Sequence, residues 1–245
     1  MPDIMLVSHR KKFIYTKTAK TAGTSVESYF EPFCLPEGDW KLEHTRDEHI
    51  SETGIIGFRG EKRPKGTRWF NHMAANRIKA QIGDEIWNSY FKFCVVRDPF
   101  EKAVSAFYHY RRSREISRTK GDHQSRIRRI KGFFLSEPKF DSVREEFEHW
   151  LKSGAMVLDR DKYMIGDSFC LDEVIRYESL RDDMGRICKK IGVEFDPSRL
   201  PSFKTGIRDK NVTLSEIYSR RSLEIVAGLY AYEMERFAYA PPALA

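Results

Sequence analysis

A lysine, two threonines, a glycine and a serine stand together in Lys20-Thr21-Ala22-Gly23-Thr24-Ser25. Placed at the start of a helix, such a run suits a phosphate or sulfate, because unpaired backbone N–H groups and the positive end of the dipole meet the anion there. Gly23 lets the backbone come close, Thr24 and Ser25 add hydroxyl donors, and Lys20 adds a movable positive charge. An ordinary strand-to-helix turn capped by Thr or Ser would carry the same residues. The run is not the Walker A pattern G-x-x-x-x-G-K-[ST]: its lysine precedes the glycine, and the Gly-Lys-Ser/Thr ending that seats Mg²⁺ is missing. A kinase needs a metal bridging its phosphates. A P-loop-like nucleotide kinase is therefore the weaker enzyme reading, and no metal is expected.

The second constellation is Val95-Val96-Arg97-Asp98-Pro99-Phe100, continuing to Ser105. Arg97 closes an apolar run, and Ser105 falls about two turns into the helix that should follow. If that helix folds back on the sheet, a guanidinium fork and a hydroxyl can grip one phosphate. A surface Arg97–Asp98 pair with Ser105 simply exposed is the plainer alternative.

These groups need elements to hold them. Phe13 to Thr16 is β-prone and is followed by the small-residue stretch 17–25 and the helical VESYF. FKFCVV, residues 91–96, is nearly all apolar, as in a strand buried on both faces of a parallel sheet. Asp98 suits an N-cap and Pro99 a first helical position, so a helix is expected directly after Arg97, with Val104, Phe107 and Tyr108 on its inner face. Residues 33–68, rich in Gly, Pro and charge, read as mostly irregular. A helical pattern from Asn71 stops at Gly83, and the amphipathic DEIWNSY follows. Helical spacing returns at Val143, Phe147, Trp150 and Leu151, then at Leu180, Met184, Ile187, Cys188 and Ile191. Between them Glu173 to Tyr177 reads as a strand, Pro197 and Pro201 mark a loop, and one closing helix carries Leu223, Val226, Ala227, Tyr230, Met234 and Phe237. This alternation predicts an α/β fold with an open, mainly parallel sheet flanked by helices, in one domain over residues 1–245. Ligands then sit at the carboxyl ends of the strands, where both constellations fall.

Composition narrows the classes. A hydrophobic share of 40% is that of a globular chain, not a disordered one. The opening MPDIMLVSHRKKFIY is too interrupted by charge for a signal peptide, and no apolar run reaches the ~18 residues of a membrane span, so a cytoplasmic protein is expected. Cys34, Cys94, Cys170 and Cys188 lack ligand spacing, which argues against a zinc site or disulfide framework; Cys94 and Cys188 read as buried thiols. Between Arg111 and Lys131 stand nine Lys/Arg and two acids, so this stretch carries the whole net charge of +7. Within a basic insertion spanning roughly 111–140, it reads as a solvated segment, a clamp for an anionic acceptor, or an anion- or nucleic-acid-binding module. Aromatic interleaving is missing between Tyr110 and Phe133, so no nucleic-acid partner is expected.

FIYTKTAKTAGTSVE resembles the 5′-phosphosulfate loop of the sulfotransferases that use 3′-phosphoadenosine 5′-phosphosulfate (PAPS), the group including glycan 2-O-sulfotransferases and bacterial relatives. FKFCVVRDPFEKAVSAFYHY is similar to that family's 3′-phosphate element, and WNSYFKF, EVIRYESLRDDMGRICKKIGV and LYAYEMERFAY resemble its recurrent segments in the same order. The likeness covers about residues 12–239, broken at 33–68 and 111–140. It implies a P-loop-like sulfotransferase architecture and sulfuryl transfer from PAPS, leaving 3′,5′-ADP, to an acceptor hydroxyl of a saccharide or glycan. By the same resemblance, Lys20 contacts the 5′-phosphosulfate and stabilises the departing oxygen, and Thr21, Ala22, Gly23, Thr24 and Ser25 hold that group. Arg97 and Ser105 take the 3′-phosphate, while Lys204 and Arg208 lie where relatives place basic residues against the nucleotide, a solvated Lys/Arg loop being their alternative reading. Asp98 stands where Asn is also common, and Ala19 replaces a frequent proline. An acceptor hydroxyl must lose its proton, most often to a histidine. Of seven histidines, His72 matches the one that opens a helix before WNSYFKF in relatives, with His44 and His49 next; packing or capping at a helix start is the alternative role for His72.

Overall fold

The apolar runs at 13–16 and 91–96 become neighbouring parallel strands, with Phe13 opposite Phe91, Tyr15 opposite Phe93 and Thr16 opposite Cys94. A computed structural model describes residues 5–119, 139–203 and 212–244. It divides the chain into two compact units, Met1–Arg97 with Leu158–Phe203, and Asp98–Val157 with Lys204–Ala245.

In the first unit the elements run β1 (Met5–Ser8), β2 (Phe13–Thr16), α1 (Gly23–Phe30), β3 (His49–Ser51), β4 (Gly54–Ile56), α2 (Ala75–Ile82), α3 (Asp84–Ser89) and β5 (Phe91–Val96). In the second unit follow α4 (Pro99–Thr119) and α5 (Val143–Lys152). The first unit resumes with α6 (Arg160–Tyr163), β6 (Met164–Ile165), β7 (Ser168–Phe169), β8 (Glu173–Arg176) and α7 (Leu180–Lys190). The second ends with α8 (Leu214–Ile217), α9 (Arg220–Leu229) and α10 (Ala231–Phe237).

The six-stranded sheet has the order β3-β4-β1-β2-β5-β8. The pairs β2–β5 and β5–β8 are parallel, and β1 pairs antiparallel with both β2 and β4. Four of the six strands thus point the same way, and the half that carries the motifs is parallel. Alternation along the strands covers both faces. Leu6, Phe13, Tyr15, Phe93, Val95 and Ile175 pack with Val26, Tyr29 and Phe30 of α1 and Met184, Ile187 and Cys188 of α7. On the other face Met5, Val7, Ile14 and Ile55 pack with Ile78 of α2 and Trp87 of α3. Phe93 lies at the centre of the first cluster, with ring centroids 5.7 Å from Phe13, 5.4 Å from Tyr15 and 5.1 Å from Phe30.

Three elements depart from the sequence expectation. β1 is buried throughout, yet its hairpin to β2 turns through His9-Arg10-Lys11-Lys12 instead of a Gly or Asn turn, with Lys12 itself at φ 51°. The segment 33–68 contains β3, β4 and a bridge between Arg46 and Arg59. Strands of three residues leave too short an alternation to read. The single closing helix is divided at Tyr230, φ −111°, whose buried ring is anchored by its hydroxyl donating to the Val157 carbonyl at 2.6 Å.

The second unit is helical. Asp98 Oδ1 accepts from the N–H groups of Phe100 at 2.8 Å and Glu101 at 3.0 Å, the N-cap expected for α4. Val104 and Phe107 are buried as expected, and Phe107 meets Phe147 of α5, which meets Tyr218 at a centroid distance of 5.0 Å. The basic stretch enters α4 as far as Thr119; residues 120–138 lie outside the described residues.

Phe93→Ala should reduce the unfolding free energy of the sheet unit by ~3–5 kcal/mol through the cavity it leaves, read as a lower urea midpoint of the sheet transition.

Candidate active site

β2 leads into a loop, residues 17–22, whose backbone is unusual. Lys20 has φ 62° and Ala22 φ 55°, left-handed conformations that cost a side-chain-bearing residue ~1–3 kcal/mol each. Several bonds hold the loop in that shape. The Thr18 hydroxyl donates to the Val95 carbonyl of β5 and lies 2.8 Å from the Thr21 hydroxyl. The Ala19 N–H donates to the buried Asp159 carboxylate at 3.0 Å, and Arg97 Nη1 donates to the Lys20 carbonyl at 3.1 Å.

The loop delivers the chain directly to α1. The N-cap position is Ala22, whose side chain makes no cap hydrogen bond. This separates the site from an ordinary turn capped by Thr or Ser. Thr24 Oγ1 instead accepts from Lys17 Nζ at 3.1 Å, and Ser25 Oγ from the N–H of Phe203 at 3.4 Å. The Ser25 and Val26 N–H groups donate to the Ala22 carbonyl at 2.9 and 3.2 Å, so among the described residues the Gly23 and Thr24 amides are the ones an anion could meet. Gly23 is required by close approach: a Cβ there would lie 2.9 Å from Lys17 Cε and 3.2 Å from the Thr18 carbonyl oxygen.

Beneath the loop runs a buried chain of charges. Lys17 Nζ lies 2.8 Å from Glu27 Oε2, which also receives Arg59 Nη1 at 3.0 Å. The same Arg59 atom reaches Glu31 Oε1 at 2.6 Å, and Arg46 Nε lies 3.1 Å from Glu31 Oε2. Both carboxylates are wholly buried. Burial holds the Glu27 carboxyl above its ordinary range against the pull of Lys17 and Arg59. For Arg59, burial acts downward, and Glu27 and Glu31 outweigh it, raising the guanidinium. Arg59 also donates to the carbonyls of His44 and Glu43 at 2.7 Å each, so the region expected to be irregular is tied to α1.

The expected residues come together in part. Arg97 follows β5, bonded to the Lys20 carbonyl and with its guanidinium carbon 4.2 Å from the centroid of the Tyr177 ring. His72, at φ 45°, has Nδ1 at 2.9 Å from the Lys17 carbonyl. A carbonyl only accepts, so Nδ1 carries the proton and the basic lone pair is at Nε2. Lys20, the 21–25 run, Arg97 and His72 thus meet around one loop of the first unit. Ser105 lies on the second turn of α4, in the second unit. Lys204 and Arg208 fall outside the described residues. His44 packs against Phe203, and His49 lies on β3.

Sequence reasoning missed Lys17, Glu27, Arg59 and Asp159. One signal was present: Glu27 and Glu31 are four apart on an otherwise apolar helical stretch, placing two acids on one face. Among the described residues no His/Cys/Asp/Glu group could hold a metal, and no helix is long and apolar enough to cross a membrane.

The model of the Sulfotransferase family matches residues 3–240. A curated relative, carbohydrate sulfotransferase 10 of Xenopus laevis, is 26% identical over 198 residues, covering 67% of this chain and 52% of its own. The chain therefore spans about half the length of the relative it matches. No solved structure matches significantly.

Gly23→Ala should destabilise the folded chain by ~1–3 kcal/mol, since neither the pinned Lys17 stem nor the Thr18 carbonyl can yield without strain; urea denaturation measures the loss.

Proposed function

The chain belongs to the sulfotransferase family, and from that premise we propose that it transfers a sulfuryl group from PAPS to a hydroxyl of a carbohydrate. The observation that carries this reading is the start of α1, which has alanine at its N-cap and is reached through a left-handed loop whose Lys20 carbonyl is gripped by Arg97. The carbohydrate acceptor is supported by the printed name of the relative.

The residues present suit such a donor. Gly23 leaves room for the Lys17 stem and the Thr18 carbonyl at the helix start, and Thr24 and Ser25 are the next two residues of α1. These groups would hold the 5′-phosphosulfate. Arg97, oriented by Lys20 and Tyr177, would take the 3′-phosphate. The donor supplies an activated sulfuryl group on a phosphate leaving group. As the acceptor oxygen bonds to sulfur and the bridging bond breaks, Lys20 would place its ammonium against the charge left on the departing phosphate. His72 would receive the hydroxyl proton at Nε2, with Nδ1–H held by the Lys17 carbonyl.

Calorimetry without metal should detect 3′,5′-ADP binding and no comparable binding of ATP with Mg²⁺; the reverse pattern would remove this reading in favour of a nucleotide kinase. With labelled PAPS and a panel of carbohydrate acceptors, Lys20→Ala should lower turnover ~10²–10³-fold. His72→Ala should lower it ~10²–10⁴-fold and remove the neutral-side ionisation from the pH–rate profile, with 3′,5′-ADP affinity preserved. Near-native turnover in either variant would refute the role given to that residue.

A further inference from the structure

Lys17 lies three residues before the motif lysine and belongs to neither constellation, yet it touches both sides of the site. Its carbonyl accepts from His72 Nδ1–H at 2.9 Å, and its ammonium donates to Thr24 Oγ1 at 3.1 Å. The ammonium is buried and held by Glu27 at 2.8 Å, and Arg59 fixes Glu27 from a second direction at 3.0 Å. The stem passes directly over Gly23, which is why a Cβ there would strike Lys17 Cε and Cγ.

We propose that Lys17 is a positioning residue of the donor cradle, acting through the Thr24 hydroxyl; this rests on the donor-binding reading above. A hydroxyl has one proton and two lone pairs. With one lone pair of Thr24 Oγ1 engaged by an ammonium, the O–H is turned away from Lys17 and kept as a donor, and the neighbouring positive charge polarises it. Thr24 is partly exposed at the start of α1. An anion there meets a hydroxyl whose donor direction is set before binding, instead of a rotor that must be ordered on binding. Glu27 and Arg59 supply the rigidity: they prevent the lysine from leaving Thr24 for the anion itself. Lys17 is thus a fixed cation of the cradle.

The test is a double-mutant cycle read by calorimetry with 3′,5′-ADP, which needs no acceptor and no turnover. Lys17→Met keeps the stem and removes the ammonium, leaving Glu27 paired to Arg59, and Thr24→Val removes the hydroxyl at constant shape. Each should weaken 3′,5′-ADP ~10-fold, the size of one charge-assisted hydrogen bond. Because both changes remove the same effect, the double variant should also lose ~10-fold and not the ~100-fold of independent sites. Glu27→Gln, which loosens the grip on Lys17 without removing it, repeats the cycle with Thr24→Val should Lys17→Met fail to fold. Additive losses would overturn the proposal, since Lys17 would then act by its charge alone, and so would native affinity in Lys17→Met. A wild-type protein that binds no 3′,5′-ADP is a different outcome, which removes the donor-binding reading and this inference with it.

Discussion

A loop with two non-glycine residues in left-handed conformation does not hold itself. Lys20 and Ala22 adopt such angles only because neighbours impose them: Arg97 on the Lys20 carbonyl, Asp159 on the Ala19 N–H, and the Thr18 hydroxyl on β5. The Lys17–Glu27 pair anchors the loop from below. Burying two carboxylates and two basic groups is costly in desolvation and gives little net stability over an apolar core. What it provides is position. Long, flexible lysine and arginine side chains become fixed parts of the site, and donors held before a ligand arrives need no reorganisation when it does.

The eight residues of α1 divide this labour along their length. The amino end, led by Gly23, follows directly from the loop, while Glu27 on one flank and Glu31 just past the last turn take the cations. Apolar Val26, Tyr29 and Phe30 fasten the helix to β2 and β5 through the cluster around Phe93. The helix cannot shift on the sheet without breaking an ionic chain that reaches back to Arg46 and Arg59. The segment 33–68 has a structural purpose on this view: its backbone carbonyls at Glu43 and His44 complete the coordination of Arg59. His72 joins the same assembly through the Lys17 carbonyl, so the group assigned to take a proton and the groups assigned to hold an anion share one residue.

Much of this was legible from local pattern. The strands at 13–16 and 91–96, the helix beginning at Pro99, the helical stripes at 143–151 and 180–191 and the strand at 173 all carry periodicities or caps that depend on near neighbours in sequence. Lys20 through Ser25 and Arg97 stood out because an anion site needs those types at a strand-to-helix junction. β3 and β4 did not stand out, being three residues long, and β1 did not because its turn to β2 lacks the usual glycine or asparagine. The break at Tyr230 depends on a hydroxyl reaching Val157, a partner 73 residues away.

Sequence alone determined which residues could do chemistry and which strands present them, because residue type and hydrophobic period are local properties. Tertiary structure decided which of those residues meet, and added ones that no local pattern marked. Lys17 reads as an ordinary charge after a β-run, Asp159 as a loop acid, and Arg59 as one of several cations in an irregular segment rich in Gly, Pro and charge. Each acquires its role from a partner brought close only by folding: Glu27 for Lys17 and Arg59, and the Ala19 amide, 140 residues from Asp159. The strength of a charge or hydrogen bond depends on distance and burial, and neither is written in the order of the residues.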